Sequence, residues 1–185
     1  MTRRDLFRSL FGSAFLLLAG RAAARDEHWI LIDTEAQFLE VYRGEETVLS
    51  FRDIALGRAG AAEDRIRGDN RTPLGDFRIA WINTNSRFHI FLGFDYPTFH
   101  HARRAYSRGR LPLAEFLDLA EAYRDRRLPP QTTSIGGHIG IHGLGSADPE
   151  LHRRSNWTRG CVAVTDDEIE QLMDYVDVGT RVFVQ

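Results

Sequence analysis

His28-Trp29-Ile30-Leu31-Ile32-Asp33 and, three residues later, Gln37-Phe38-Leu39-Glu40-Val41-Tyr42 are short runs rich in aromatic and branched aliphatic residues. Runs of this length and composition, bounded by polar residues, predict strands. Arg43-Gly44-Glu45-Glu46 turns the chain into a third strand over Val48 to Leu56. Gly75 to Ile82 alternates well enough for another strand, and Phe88 to Gly93 makes one more. Gly136 to Gly143 is a short glycine-rich strand, Cys161 to Val164 a further one, and Thr180 to Val184 the last. Between these lie a long polar loop, Gly57 to Arg71, and three helical segments. Pro97 to Ser107 has proline at a first-turn position. Leu113 to Arg126 repeats Leu113, Phe116, Leu117, Leu119, Ala120 and Tyr123 near the helical period. Thr165-Asp166-Asp167-Glu168 has capping-box spacing and opens a helix through Val176, which Asp177-Val178-Gly179 stops. The pattern predicts one mostly-β domain with a few peripheral helices.

Length and charge narrow the function classes. A chain of 185 residues suits one domain. Its composition, 43% hydrophobic and 27% charged, is that of a globular protein and excludes fibrous or wholly disordered chains. All 24 basic residues are Arg, the formal net charge is -2, and no dense basic block lies beyond the first residues. Non-specific nucleic-acid binding is therefore not expected. With one Cys, no intramolecular disulfide can form.

That Cys lies in Trp157-Thr158-Arg159-Gly160-Cys161-Val162-Ala163-Val164. A lone Cys opening an apolar strand is commonly a small buried hydrophobe. Three neighbours favour a nucleophile instead. Gly160 lets a substrate carbonyl approach the backbone, backbone N–H groups at such a turn can face an oxyanion, and Arg159 is a cation two residues away that favours a thiolate. A thiol nucleophile needs a base. His142, in Ile139-Gly140-Ile141-His142-Gly143, is the candidate: alternation places Ile139 and Ile141 toward the core and His138, Gly140 and His142 on the other face. A surface His without a role is the competing reading. His138, His142, His152 and Cys161 form a rival zinc set, but their spacing fits no strong metal motif. His28, His89, His100 and His101 offer no usable spacing.

Ile141-His142-Gly143 followed by Thr158-Arg159-Gly160-Cys161-Val162 resembles the active-site signature of the L,D-transpeptidases, the YkuD-like peptidoglycan enzymes. Gly68-Asp69-Asn70-Arg71-Thr72-Pro73-Leu74-Gly75-Asp76-Phe77 resembles that family's upstream marker, and the two occur in family order. The resemblance runs from about Trp29 to Val184. One departure is Arg159, which stands where many members carry His; the Asn156 to Cys161 form is similar to a Gram-negative subgroup.

The resemblance implies a β-sandwich-like catalytic domain with Cys161 and His142 in a groove under a mobile flap. The Thr98 to Leu128 segment is a candidate for that flap, or else a helix pair packed permanently on the sandwich. It also implies a peptidoglycan stem-peptide substrate and no metal or organic cofactor. Cys161 would attack the carbonyl of the third residue of a tetrapeptide stem. His142 would move the proton to the departing D-Ala amine, the Gly143 carbonyl would orient the imidazole, and N–H groups of Gly160 and Cys161 would bind the oxyanion. Arg65, Arg67, Arg71 and Arg159 are candidates for stem carboxylates; Tyr96 is a candidate groove residue, and Trp157 packs beside the nucleophile. The acceptor would be a second stem, an envelope protein or a D-amino acid. A hydrolase on the same scaffold and a non-catalytic peptidoglycan-binding module are the alternatives.

Residues 1–24 read as an export signal and 25–185 as the catalytic domain. Arg3-Arg4 with Leu6-Phe7 resembles a twin-arginine start, although plain Sec export stays open. Ser9 to Gly20 is an uncharged, mostly apolar run, shorter than the ~20 residues a membrane-spanning helix needs. Ala22-Ala23-Ala24 has the small-residue cleavage pattern. A periplasmic or cell-wall location follows as an expectation. N-terminal sequencing of the protein recovered from its host should read from Arg25. An intact Met1 in the cytosol would refute export.

Overall fold

The computed structural model describes residues 27–185, so the export-signal reading lies outside the described residues. Ten strands and four helices follow in chain order. They are β1 (His28–Asp33), β2 (Phe38–Arg43), β3 (Glu46–Arg52), β4 (Ala61–Ala62), β5 (Thr72–Pro73), β6 (Gly75–Ser86), β7 (His89–Phe94), α1 (Phe99–Ser107), α2 (Leu113–Arg124), β8 (Gly140–His142), α3 (Pro149–Arg154), β9 (Val162–Ala163), α4 (Asp166–Leu172) and β10 (Arg181–Val184).

Eight strands form one mixed sheet in the order β3-β2-β1-β10-β6-β7-β8-β9. Alternation explains the first half. Ile30, Ile32, Leu39, Val41, Val182 and Val184 are all buried at or below 1% exposure, whereas the residues between them are only partly covered or exposed. Strand β6 belongs to both halves. Gly75 to Arg78 pair with β10, and Ile79 to Ser86 pair with β7, with register shifts along the second stretch. One continuous apolar core holds residues from every part of this sheet, Phe51 and Val182 alongside Leu92, Ile141 and Val162. Beyond β3 the chain crosses to the other end of the strand order, where Ala55 and Ala163 exchange both backbone hydrogen bonds, at 2.9 and 2.7 Å. The sheet thus folds over on itself, and the mostly-β, sandwich-like architecture expected from the sequence is what forms.

Helix α4 starts where the capping box predicts. Thr165 Oγ1 accepts from the Glu168 N–H, and the Glu168 carboxylate accepts from the Thr165 N–H at 2.8 Å. The helix stops at Leu172 rather than Val176. Helix α1 begins at Phe99 with Thr98 as its N-cap, so Pro97 precedes the helix instead of lying in its first turn. The six-residue α3 was not expected, because a segment so short shows no periodicity; Asp148 caps it ahead of Pro149. Helices α1 and α2 share a second apolar cluster of Ala102, Ala105, Leu111, Leu119 and Ile135, separate from the sandwich core. Among the described residues, no helix is long and apolar enough to cross a membrane.

Asn156 ties the segment before Cys161 to the sandwich. Its Oδ1 accepts from the Leu56 N–H at 2.7 Å and from Gln37 Nε2 at 2.9 Å. Asn156→Ala would leave the N–H of Leu56, a residue 1% exposed, without an acceptor. We expect a loss of about 1–3 kcal/mol in chemical denaturation. An unchanged midpoint would mean that another group satisfies that N–H.

Candidate active site

Cys161 and His142 meet because β8 and β9 run side by side in parallel, Ile141 against Val162 and His142 against Ala163. Both residues line one groove, with a cavity volume of about 710 Å³. Aromatic walls come from Trp81, Phe88, Phe91 and Trp157, and its charged lining consists of Arg58, Arg87 and Arg159, with no acid. A larger cavity of about 940 Å³, bordered by Trp29, Arg78, Tyr175 and Arg181, shares none of these residues and holds no nucleophile.

Local hydrogen bonds shape the turn that carries Cys161. Thr158 Oγ1 donates to the Cys161 carbonyl at 2.7 Å and accepts from the Gly160 N–H at 3.1 Å. Gly160 has φ +125°, and a Cβ there would lie 2.6 Å from the Arg71 carbonyl oxygen, so only glycine fits. The Cys161 thiol donates to the His138 carbonyl at 3.4 Å. The Gly160 N–H, expected as an oxyanion donor, is engaged by Thr158 Oγ1 in this structure.

His142 is oriented from both sides. Its Nδ1 lies 2.7 Å from the Gly143 carbonyl, which can only accept, so Nδ1 carries the proton and Nε2 keeps its lone pair. The imidazole stacks on Phe88 at 4.2 Å between centroids and meets the edge of Trp157 at 5.8 Å. The turn after it is held by Asp166 Oδ1, which accepts from the Leu144 and Gly145 N–H groups at 2.7 and 2.9 Å. His142 is only 2% exposed, not open as strand alternation suggested, and Gly140 is buried too. His138 lies outside β8, exposed, with φ +53°.

Burial sets the charge state. It pushes the Cys161 thiol up to about 11, against the Gly140 backbone hydrogen bond and the Arg65 and Arg87 charges, which pull the other way. Burial likewise lowers the His142 imidazole to about 4, against the Gly143 carbonyl. Both shifts favour the uncharged forms, a thiol and a neutral imidazole.

A family model of the YkuD L,D-transpeptidase catalytic domain matches residues 27–184. The chain belongs to that family. No curated protein matches it. Solved structures share its fold. Pgp2 of Campylobacter jejuni, described as a helical cell shape determining protein, has TM-score 0.59 at 19% identity, over 86% of this chain and 48% of that one. Bd1075 of Bdellovibrio bacteriovorus has TM-score 0.55 at 21% identity, over 88% and 49%. The chain spans about half the length of these proteins.

In this L,D-transpeptidase domain the structure gathers Cys161, His142, Trp157 and Arg159 around the groove, with Gly143 and Gly160 behind them. Four expected residues, Arg65, Arg67, Arg71 and Tyr96, do not line it. Tyr96 is 1% exposed and donates its hydroxyl to the Ile135 carbonyl at 2.7 Å, because the ring fills the core against Phe77 and His101. Arg71 is exposed and does not line the groove; its backbone carbonyl is the part that meets the Gly160 turn. Arg159 is exposed at the rim, and the cations acting on the thiol are Arg65 and Arg87. Sequence reasoning missed Phe88, Phe91 and Arg87, whose positions follow from the β6–β7 hairpin. Arg65, a candidate for stem carboxylates, is 6% exposed and does not line the groove. The zinc alternative is not assembled: among the described residues no group of three or more His, Cys, Asp or Glu side chains could hold a metal.

His101, hydrogen-bonded to Thr98 Oγ1 and the Leu74 carbonyl, is lowered by burial to about 4, like His142. Both imidazoles start from an ordinary value of 6.5, so between 6.5 and 4 the unfolded chain binds protons that the folded protein refuses. Stability is full above that window and is lost as pH falls through it. Denaturation at pH 7.5 and at pH 5 should differ by roughly 2 kcal/mol for each imidazole. Equal stability at the two values would show that neither ring is held neutral.

Proposed function

We propose that this domain is a peptidoglycan L,D-transpeptidase of the cell envelope, working by cysteine acyl transfer. The observation that carries the reading is the joint position of Cys161 and His142 in one groove, with the imidazole tautomer set by the Gly143 carbonyl and an exclusively cationic charged lining. A tetrapeptide stem bears carboxylates, which Arg58, Arg87 and Arg159 suit in charge and in forked geometry.

The thiol of Cys161 attacks the carbonyl carbon of the third stem residue as its proton passes to His142 Nε2. The developing oxyanion is met by the Cys161 N–H. Collapse breaks the amide bond, and the imidazolium returns the proton to the departing D-Ala amine. An acceptor amine then attacks the thioester, deprotonated by the same imidazole, to form the new amide and restore the thiol. A second stem, an envelope protein and a free D-amino acid all offer such an amine. No step uses a metal or cofactor. Pgp2's role in cell shape is consistent with a remodelling function, and export to the periplasm or cell wall would bring the enzyme to its substrate.

One observation favours hydrolysis as a second reading. No residue of the α1–α2 segment lines the groove, so the expected cover over the thioester is not in place. Helix α1 is instead tied back by Arg104 to Asp64 at 2.6 Å, and Glu115 of α2 accepts from Ser134. Positioning of the acceptor would then have to outcompete water by effective concentration alone.

With a tetrapeptide donor and millimolar D-amino acid, we expect mainly exchanged stem and little tripeptide. Cys161→Ala should abolish both products while moving the thermal midpoint by only a few degrees. Dominant tripeptide would replace transferase by hydrolase, and an active Cys161→Ala protein would end the cysteine mechanism.

A further inference from the structure

Arg65 lies in the loop between β4 and β5 and is 6% exposed. Its Nε and Nη1 atoms are buried without a hydrogen-bond acceptor. The guanidinium is wedged between two glycines. Nη1 is 3.1 Å from where a Cβ of Gly160 would stand, and Nη2 is 3.3 Å from the same point on Gly136. Its carbon sits 5.5 Å over the Tyr96 ring. Absent side chains at positions 136 and 160 are thus what let this cation reach the backbone of the nucleophile's turn.

The charge is weakly compensated there. Asp69 Oδ1 approaches Nε at 3.5 Å, but Asp69 also accepts from the Ile66 and Arg71 N–H groups. Glu63 and Asp64 border the small cavity on the other side of Arg65, with His101 and Arg110, and both acids are held by Arg104, with Arg108 also on Asp64. Around the thiol stand His142, His138, Arg58, Arg87 and Arg159, again with no acid in the groove. A buried cation short of acceptors is costly, and an apolar residue of similar volume would serve the fold as well or better. The geometry calls for an anion that appears only during the reaction.

We propose that Arg65 is the buried counter-charge of the nucleophile, a positioning residue that holds positive charge behind the Gly160–Cys161 backbone and stabilises the sulfur as an anion when His142 removes its proton. This rests on Cys161 being the nucleophile of the reaction above, but its test needs no peptidoglycan.

Iodoacetamide alkylation is followed by mass across pH 6 to 11; Cys161 is the sole thiol, so the rate reports its thiolate alone. In Arg65→Gln the rising limb of the rate profile should move up by about one pH unit or more, so that alkylation at a given pH is about tenfold slower. Arg65→Lys keeps the charge and should stay close to wild type. A folded Gln variant with the wild-type profile overturns the proposal, since a merely structural role would change stability and leave the profile in place. Should Gln not fold, Lys decides: a wild-type profile supports the counter-charge, and a rise of a full unit despite the retained charge overturns it. Normal Arg65 dependence in a protein that transfers no acyl group would refute the proposed function and leave this inference standing.

Discussion

The parallel pairing of β8 with β9 is the contact on which the site depends. Parallel neighbours cannot be joined by a tight turn, so the chain leaves His142, runs through α3 and returns 19 residues later to Cys161. The ladder then holds the two residues on adjacent strands, while Ala55 pairs with Ala163 on the outer side and keeps β9 from being a free edge. Because β9 has only two residues, its position relies on side chains. Asn156 ties the incoming chain to Leu56 and Gln37, Thr158 closes the turn, and Asp166 at the start of α4 braces the loop after His142. Much of the local polar bonding around the site goes into positioning one short strand.

Close approach is the second constraint. Gly143 faces Asp166, and Gly160 faces both the Arg71 carbonyl and the Arg65 guanidinium. These contacts bring the upstream Gly68 to Phe77 segment against the nucleophile's turn, which gives two sequence markers far apart in the chain a common physical purpose. The same tight packing desolvates the site. Burial favours the neutral forms of Cys161 and His142.

The α1–α2 pair packs on an apolar cluster of its own without joining the main core. Leu119, Ala122 and Ala105 turn inward, while Leu113, Leu117 and Tyr123 are exposed, so the regular apolar repeat in α2 covers less than it promises. Salt bridges to Asp64 and the bond from Glu115 to Ser134 hold the pair beside the polar loop, not over the groove.

The sequence alone determined the elements whose signals are local. The alternating strands β1, β2 and β10, the Thr165–Glu168 capping box and the mostly-β class all follow from periods and short-range hydrogen bonding, while the markers around His142 and Cys161 were legible by resemblance to a family. Only the tertiary structure decided which side chains face the groove, because that depends on residues far apart in the chain. Arg71 lies inside the upstream marker yet its side chain is exposed and does not line the groove, and Tyr96 fills the core. Arg65 reads as one of four candidate carboxylate-binding arginines until Gly136 and Gly160 fold against it and bury it. A charge's exposure is set by what the rest of the chain packs upon it, and no local pattern encodes that.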